Sequence, residues 1–506
     1  MLRASASLLL LLPAAAAIRD GNRVSIPDAS GGTIIEFASP VSLQYTRWFG
    51  STRPILGPPL TLTSQPLTLE DGPQVRISST FLTVTISTSG AIDVRTKSGR
   101  EVVAMPQPAT HNGFQLTAEP AEQYFGLGDI TAPKLDLRGR LISSTRPFLL
   151  SSRGYGIYIP AAPATFDLAN KNPGRIAIET DHPTFQLYYG PNPKEILEQH
   201  ALTTHRQTNL ADATLSNRDS RNFPSEIERI TITEANYCDA PRILNQLSLS
   251  GVLFPAINLA PIAAHDESLR LLPFLYDEKP HPDLERLRDP WQHYLVAYLR
   301  EAHDRGLPFI RPLLIQFPKD QGLETRSDLY MIGDEILVAP GCNVTEVELP
   351  RGSWTDLRNN TNHPGRQKIA NDLKAGLPIY AKSGSLIPLV SSHPGINLEL
   401  HYFPEMGAEF FVYEPAVNDY SQFHAGPSAD FIRVESESKV ARTCEWILHH
   451  TAKPKSVGET GKPFREVTTL DALKPGTWFH DSTTGNLHVA VSTAPGEDHI
   501  VNIEPR

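Results

Sequence analysis

Through the first 190 residues, apolar and polar positions alternate with a period of two. Leu82, Val84 and Ile86 are separated by threonines, Ser89-Gly90 interrupts the run, and Ile92 and Val94 resume it; this predicts two strands joined by a tight turn. Arg153 to Pro160 reads as another strand, with Gly154 and Gly156 placed for close backbone approach. No segment here sustains three turns of helical periodicity. Residues 19–190 are therefore expected to form a large β-sandwich.

The period changes at Pro191. Asn192 is placed to cap a helix with Pro193 at its first position and Glu195 three residues after the cap, running to about Thr203. The polar stretch Thr204 to Ser225 reads as loop. From Glu226 to Pro318 strands and helices alternate. Arg229–Thr233, Val252–Ile257 and Phe309–Ile315 are the expected strands; Pro241–Leu249, stopped by Gly251, and a long segment capped by Asp289 are the expected helices. In the long helix Trp291, Tyr294, Leu295, Tyr298, Leu299 and Ala302 make one apolar stripe, and Gly306 ends it. Such alternation is the pattern of α/β units on a parallel sheet. After Pro318 strands return at Ile336–Ala339, Val344–Leu349, Leu386–Leu389, Glu409–Tyr413, Phe431–Val434 and Val440–Leu448. They suggest two small β-domains with a boundary near Ser391 to Asn397.

Composition adds bounds. A chain of 506 residues exceeds what one hydrophobic core organises. Apolar residues at 40% and charged residues at 20% suit a globular chain, and a formal charge of -10 argues against a general polyanion binder, nucleic acid included. Met1-Leu2-Arg3, the leucine run Leu8 to Leu12 and Pro13 followed by four alanines read as a secretory signal peptide cleaved near Ala17, so residues 1–18 are set apart from the fold. No later apolar run has the length of a membrane span. Asn343-Val344-Thr345 and Asn359-Asn360-Thr361 are glycosylation sequons. Three cysteines, Cys238, Cys342 and Cys444, allow one disulfide with one free thiol, or three buried thiols. No metal-ligand spacing, phosphate loop or nucleophile elbow is present, so no cofactor is expected.

Several stretches resemble glycoside hydrolase family 31, the family of α-glucosidases and α-xylosidases. Glu122-Gln123-Tyr124-Phe125-Gly126-Leu127-Gly128-Asp129 with Leu135-Asp136-Leu137-Arg138-Gly139 is similar to its "E-x-F/Y-Y/F-G-L-G … L-x-x-R-G" signature. Arg153-Gly154-Tyr155-Gly156 and Gly190-Pro191-Asn192-Pro193-Lys194-Glu195-Ile196-Leu197 resemble the two segments that follow it. Leu249 to Phe254 resembles barrel strand seven, and Gly306-Leu307-Pro308-Phe309-Ile310-Arg311-Pro312-Leu313 resembles strand eight. Met331 to Pro340 is similar to "M-x-G-D-x-L-L-V-A-P", and Leu377 to Pro388 to "I-P-V-F-V-R-A-G-S-I-I-P". The matches lie in family order across roughly 120–415. The resemblance implies an N-terminal β-sandwich (19–190), a truncated (β/α) barrel remnant (191–320) and two C-terminal β-sandwich domains (321–392 and 393–506).

The chemistry that the family performs needs two carboxyl groups about 5–5.5 Å apart at the mouth of the barrel. The resemblance would place them in "D-x-N/T-E" and "W-x-G-D-N" motifs, and neither occurs in this chain. A full barrel takes roughly 250 residues, whereas residues 226–318 supply about 95. Sugar-facing positions have changed as well. The family's "D-I-G-G-F" corresponds to Asn258-Leu259-Ala260-Pro261-Ile262, and its "P-F-F-R-x-H" to Pro273-Phe274-Leu275-Tyr276-Asp277-Glu278.

Ordinary catalytic residues are therefore not expected. Glu234, Asp239 and Asp266 are the candidates for relocated chemistry, with Asp239 alternatively a simple helix cap. Asn258, His265, Arg311 and Glu278 are the candidates for substrate contact, and Asn343 and Asn359 for glycosylation. His281 and His449-His450 read as surface histidines, and Trp291, Trp354 and Trp446 are the candidate aromatic platforms for a sugar. Three functions compete: a secreted pseudoenzyme acting as a structural or binding subunit, with itself or with a full-length family 31 enzyme; a hydrolase or transglycosylase on α-glucosides or α-xylosides with relocated carboxylates; and a carbohydrate-binding protein for an α-glucan or oligosaccharide.

Overall fold

The computed structural model describes residues 17–505, apart from 56, 61–63, 170–173, 205–227, 233–236, 254, 260–275, 278–288, 321, 324, 341–344, 372–375 and 429. It falls into two compact units: residues up to 129 with 136–204, and 130–135 with 205–506.

The first unit is antiparallel throughout. Its eight-stranded sheet runs in the order Ile18–Asp20, Arg23–Asp28, Gly31–Ser39, Ser42–Phe49, Thr184–Tyr189, Tyr155–Tyr158, Phe148–Ser151 and Tyr124–Gly126. A four-stranded sheet joins Gly113–Thr117, Arg175–Glu179, Ala164–Asp167 and Leu141–Ser144, and a five-stranded meander spans Thr68–Glu70 to Glu101–Met105. The alternation seen in the sequence is what places these strands: Leu82, Val84 and Ile86 face inward, and Ile86 pairs with Ile92. Gly90 adopts φ +80° in the connecting turn, where a side chain would press on Pro108. The Pro193–Thr203 helix starts as expected, with the Asn192 carboxamide oxygen accepting the Lys194 N–H at 2.9 Å.

Glu122, in the first signature segment, is the polar centre of this unit. It is 2% exposed and accepts hydrogen bonds from the hydroxyls of Ser151 and Tyr155. Arg153 ion-pairs with Glu119 at 3.1 Å and lies 3.8 Å from Glu122. Burial, reinforced by the Glu122 charge, pushes the Tyr155 phenol well above its ordinary value.

In the second unit the strands Glu228–Ile232, Pro255–Leu259 and Tyr276–Asp277 pair in parallel. This is the barrel-type sheet among the described residues, and it has three strands. Between its first two strands lies the helix Ala240–Leu249; the Gln292–Arg305 helix follows the third. Tyr294, Leu295, Tyr298, Leu299 and Ala302 are buried as the stripe predicted, with Trp291 packed at its margin. Gly306 ends the helix at φ +71°, its N–H bonding to Ala302 O at 2.9 Å.

Three local expectations change. Asp289 lies in a 3-10 turn and Trp291 holds the cap position, its side chain making no cap hydrogen bond. Asp239 sits at the cap of the Ala240–Leu249 helix, but its carboxylate makes no cap bond. The expected strand Phe309–Ile315 is reduced to Ile310–Arg311, because Pro312 lacks an N–H to continue the ladder and a short helix, Leu313–Gln316, begins after it.

The expectation of two C-terminal β-sandwich domains is not met. Strands from residue 310 onward are divided among four sheets, with six, two, six and six strands. Ile310–Arg311 leads the first of these, antiparallel to Tyr330–Ile332, instead of joining the parallel sheet. Ser385–Val390 pairs with Leu398–Phe403 across the expected domain boundary. One apolar core also runs unbroken from Ile243 and Leu244, through Tyr294, Ile332 and Val338, to Trp446 and Val501. The physical reason is that alternation marks a strand's buried face without naming the surface that covers it. Here the long helix supplies part of that cover, with Tyr294 stacked on Phe410, 5.6 Å between ring centroids.

Candidate functional site

Of the residues proposed for chemistry, Glu234, His265, Asp266, Glu278, His281 and Asn343 lie outside the described residues, and only the backbone of Asn258 is described, in the middle parallel strand. Asp239 is exposed and ion-paired with Arg242 at 3.4 Å. That arginine also donates to the backbone carbonyl of Ile130 at 2.8 Å, which anchors the Ile130–Leu135 segment to the helix. Asn359 is exposed in the turn after Ser353–Asp356, its carboxamide oxygen accepting the Thr361 N–H at 3.0 Å. Trp354 and Trp446 are fully buried, their indole N–H groups bonded to Pro350 O and Ser436 Oγ; neither offers a face to a sugar. Cys238 is disulfide-bonded and Cys444 is a buried free thiol.

Arg311, in the segment that resembles barrel strand eight, has no exposed surface. Its Nε–H donates to Pro308 O at 2.9 Å, and its two terminal nitrogens take one carboxylate each, Asp334 and Glu301. The guanidinium lies 5.0 Å from the Tyr298 ring centroid. Burial alone would lower the Arg311 pKa, but the carboxylates of Asp334 and Glu301 outweigh it and hold the group firmly charged.

The network continues through Glu335, whose Oε2 accepts from Tyr298 at 2.6 Å and Tyr294 at 2.8 Å. Tyr294 and Tyr298 are one helical turn apart on the long helix, with Glu301 a further three residues on, so one helix face delivers all three groups. Burial, together with the adjacent Asp334 charge, pushes the Glu335 carboxyl up to about 7. Gly333 belongs here for steric reasons: at φ +60° a Cβ would come within 2.2 Å of the Tyr298 ring. The segment Met331 to Glu335 therefore builds a charged joint between helix and sheet. Sequence reading found Arg311 but missed Glu301 and Asp334 as its partners, and Glu335 beyond them. The signal was the Tyr294–Tyr298–Glu301 spacing opposite Gly333-Asp334.

A second polar cluster was also missed. His449 is buried, not a surface residue; its Nε2 lies 3.0 Å from His401 Nδ1 and its Nδ1 2.9 Å from Asn360 Oδ1. His401 in turn pairs with Glu399 at 3.1 Å. Burial, then the neighbouring His401, His450 and His488, depress the His449 pKa well below its ordinary value.

Comparison with known proteins locates the chain. The family model "Glycosyl hydrolase family 31 C-terminal domain" matches residues 306–387. An isomaltosyltransferase from Sporosarcina globispora is 24% identical over 231 residues, 41% of this chain and 21% of that protein. An α-glucosidase from Saccharolobus solfataricus is 36% identical over 121 residues, 23% of this chain and 17% of that protein. The matched segments thus span about a fifth of these relatives. Among solved structures, a family 31 dextranase from Flavobacterium johnsoniae superposes with a TM-score of 0.78 at 14% identity, covering 96% of this chain and 99% of that one. A family 31 α-xylosidase from Xanthomonas citri gives 0.67 at 10% identity, covering 95% and 99%. At these identities the structures speak for the fold alone. The chain is homologous to the family 31 glycoside hydrolases over the matched segments, and its parallel, barrel-type sheet has three strands among the described residues.

Proposed function

We propose that this chain is a non-hydrolytic member of the family 31 lineage that acts by binding, as a secreted subunit associated with itself or with a full-length family 31 enzyme. The observation that carries the reading is the state of Arg311. This arginine has no exposed surface and is held by Asp334 and Glu301, so it is unavailable to a sugar. The sequence contains neither carboxylate motif, and the parallel sheet among the described residues has three strands. Export is supported by the leader-like N-terminus, the exposed sequon at Asn359 and the Cys238 disulfide, which oxidising compartments favour. A subunit role is supported by the two strands that edge this parallel sheet among the described residues, since sheet edges need cover.

The test is hydrolysis of aryl α-glucosides, aryl α-xylosides, isomalto-oligosaccharides and dextran between pH 4 and 7. The expected result is no sugar release above a heat-inactivated control. Release abolished by Asp239→Asn or Asp266→Asn would overturn the reading in favour of relocated carboxylates. Light scattering and native pull-down from culture medium test the subunit role, which a partner-free monomer would exclude.

A further inference from the structure

We propose that the cavity between the Gln292–Arg305 helix and the strands Ala408–Glu414 and Asp419–Ser428 is a binding site for a cationic group, an alkyl ammonium or guanidinium. The cavity has a volume of about 390 Å³, within the roughly 300–1,000 Å³ of small-molecule sites. It lies wholly in the second unit, and nothing in the proposed subunit role depends on it.

Two independent features define its occupant. The first is an aromatic wall. Phe411 lies on the edge strand of its sheet and is 47% exposed, although neighbouring Phe410 is buried against Tyr294 and Tyr298. With Tyr420 it gives the cavity apolar, electron-rich surface of the kind that attracts cations. The second is charge. Glu301, Asp304, Asp334, Glu335 and Glu409 all line the cavity. Arg311 bridges Glu301 and Asp334, Arg305 adds a second contact to Glu301, and Arg300 holds Asp304. Glu335 is held by two tyrosine hydroxyls, and Glu409 bonds to the Gln422 amide, which supplies no charge. Of the five acidic side chains, Glu301, Asp304 and Asp334 are paired with arginines, and the two without one, Glu335 and Glu409, belong to opposite walls. An anionic ligand is repelled by this arrangement. A cation seated against Phe411 would meet Glu409 from the sheet and Glu335 from the turn after Ile332. Because burial and the Asp334 charge keep the Glu335 carboxyl near 7, arrival of a cation would favour its ionised form and release a proton at neutral pH.

The experiment is isothermal titration calorimetry of the intact protein at pH 7 with putrescine and, separately, with a capped Gly-Lys-Gly peptide. Butane-1,4-diol is the uncharged control, and phosphate and HEPES buffers report proton exchange. Saturable binding of either cationic probe, with proton release and no response to the diol, is the expected result. Binding of the diamine alone assigns the site to free amines; binding of the peptide alone assigns it to a partner's lysine. Phe411→Ala and Glu409→Gln, both at exposed side chains, should melt like the parent and bind about tenfold more weakly. Glu335→Gln should abolish proton release, and if that variant does not fold, the two exposed variants decide. The proposal is overturned if neither cationic probe binds saturably, if the diol binds as well as the diamine, or if both exposed variants bind like the parent.

Discussion

Replacing Arg311 with methionine tests whether this buried arginine holds structure together or waits for a ligand. The substitution keeps length and apolar volume but removes the cation from between two carboxylates. Removing one partner of a buried ion pair costs about 3–5 kcal/mol. Here the side chains of Glu301 and Asp334 are 19% and 37% exposed, so solvent relieves part of the penalty. The Arg305 contact to Glu301 relieves a little more. A loss of about 3 kcal/mol is therefore expected, a large share of the roughly 5–15 kcal/mol that stabilises a folded domain. At about 2–4 °C per kcal/mol for a domain of this class, the melting temperature should fall by about 6–12 °C. The assay is thermal and urea unfolding of Arg311→Met beside the parent. Arg311→Lys should lie between them, because one ammonium does not reproduce the two-pronged bridge. Adding Asp334→Asn to Arg311→Met should recover stability, since an amide tolerates the missing cation better than a carboxylate does. If Arg311→Met melts within about 2 °C of the parent, Arg311 does not hold the joint, and the case against a ligand role at this position collapses.

Three further outcomes are expected. His449 is held neutral in the fold with its pKa well below the ordinary value, so the unfolded chain binds the extra proton first. Stability should be level above about pH 6.5 and fall as pH drops below it, by up to about 1.4 kcal/mol per pH unit for this one proton; urea midpoints from pH 7 to 5 should show the slope, and His449→Gln should flatten it. Gly333→Ala places a methyl group into the Tyr298 ring at a left-handed backbone position and should cost about 2–4 kcal/mol by equilibrium unfolding. Glu122→Ala strips the acceptor from the buried hydroxyls of Ser151 and Tyr155 and should destabilise the first unit by about 2–4 kcal/mol, with Glu122→Gln milder because it keeps an oxygen acceptor; near-UV circular dichroism in urea reads both.

The sequence by itself determined elements whose signal is local, such as the first hairpin and the long helix, though not all of their ends. The alternation at Leu82 to Val94 specified a hairpin, because consecutive side chains of a strand point to opposite faces and neighbouring residues suffice to show it. The stripe from Tyr294 to Ala302 and the stop at Gly306 marked the long helix for the same kind of reason. The loss of both carboxylate motifs was legible too, since a missing motif needs no geometry.

What the tertiary structure alone decided is long-range. It divided the C-terminal strands among four sheets, three of which contribute to one continuous core, because pairing partners such as Ser385–Val390 and Leu398–Phe403, or Leu398–Phe403 and Arg442–Leu448, are chosen by packing and not by pattern. It buried His449 between His401 and Asn360, 48 and 89 positions away in the chain. It also gave Arg311 its meaning, by bringing Glu301 from the helix and Asp334 from a turn to its two nitrogens. Ion pairs act over a few ångströms of space, and the chain distance between their members carries no trace of them.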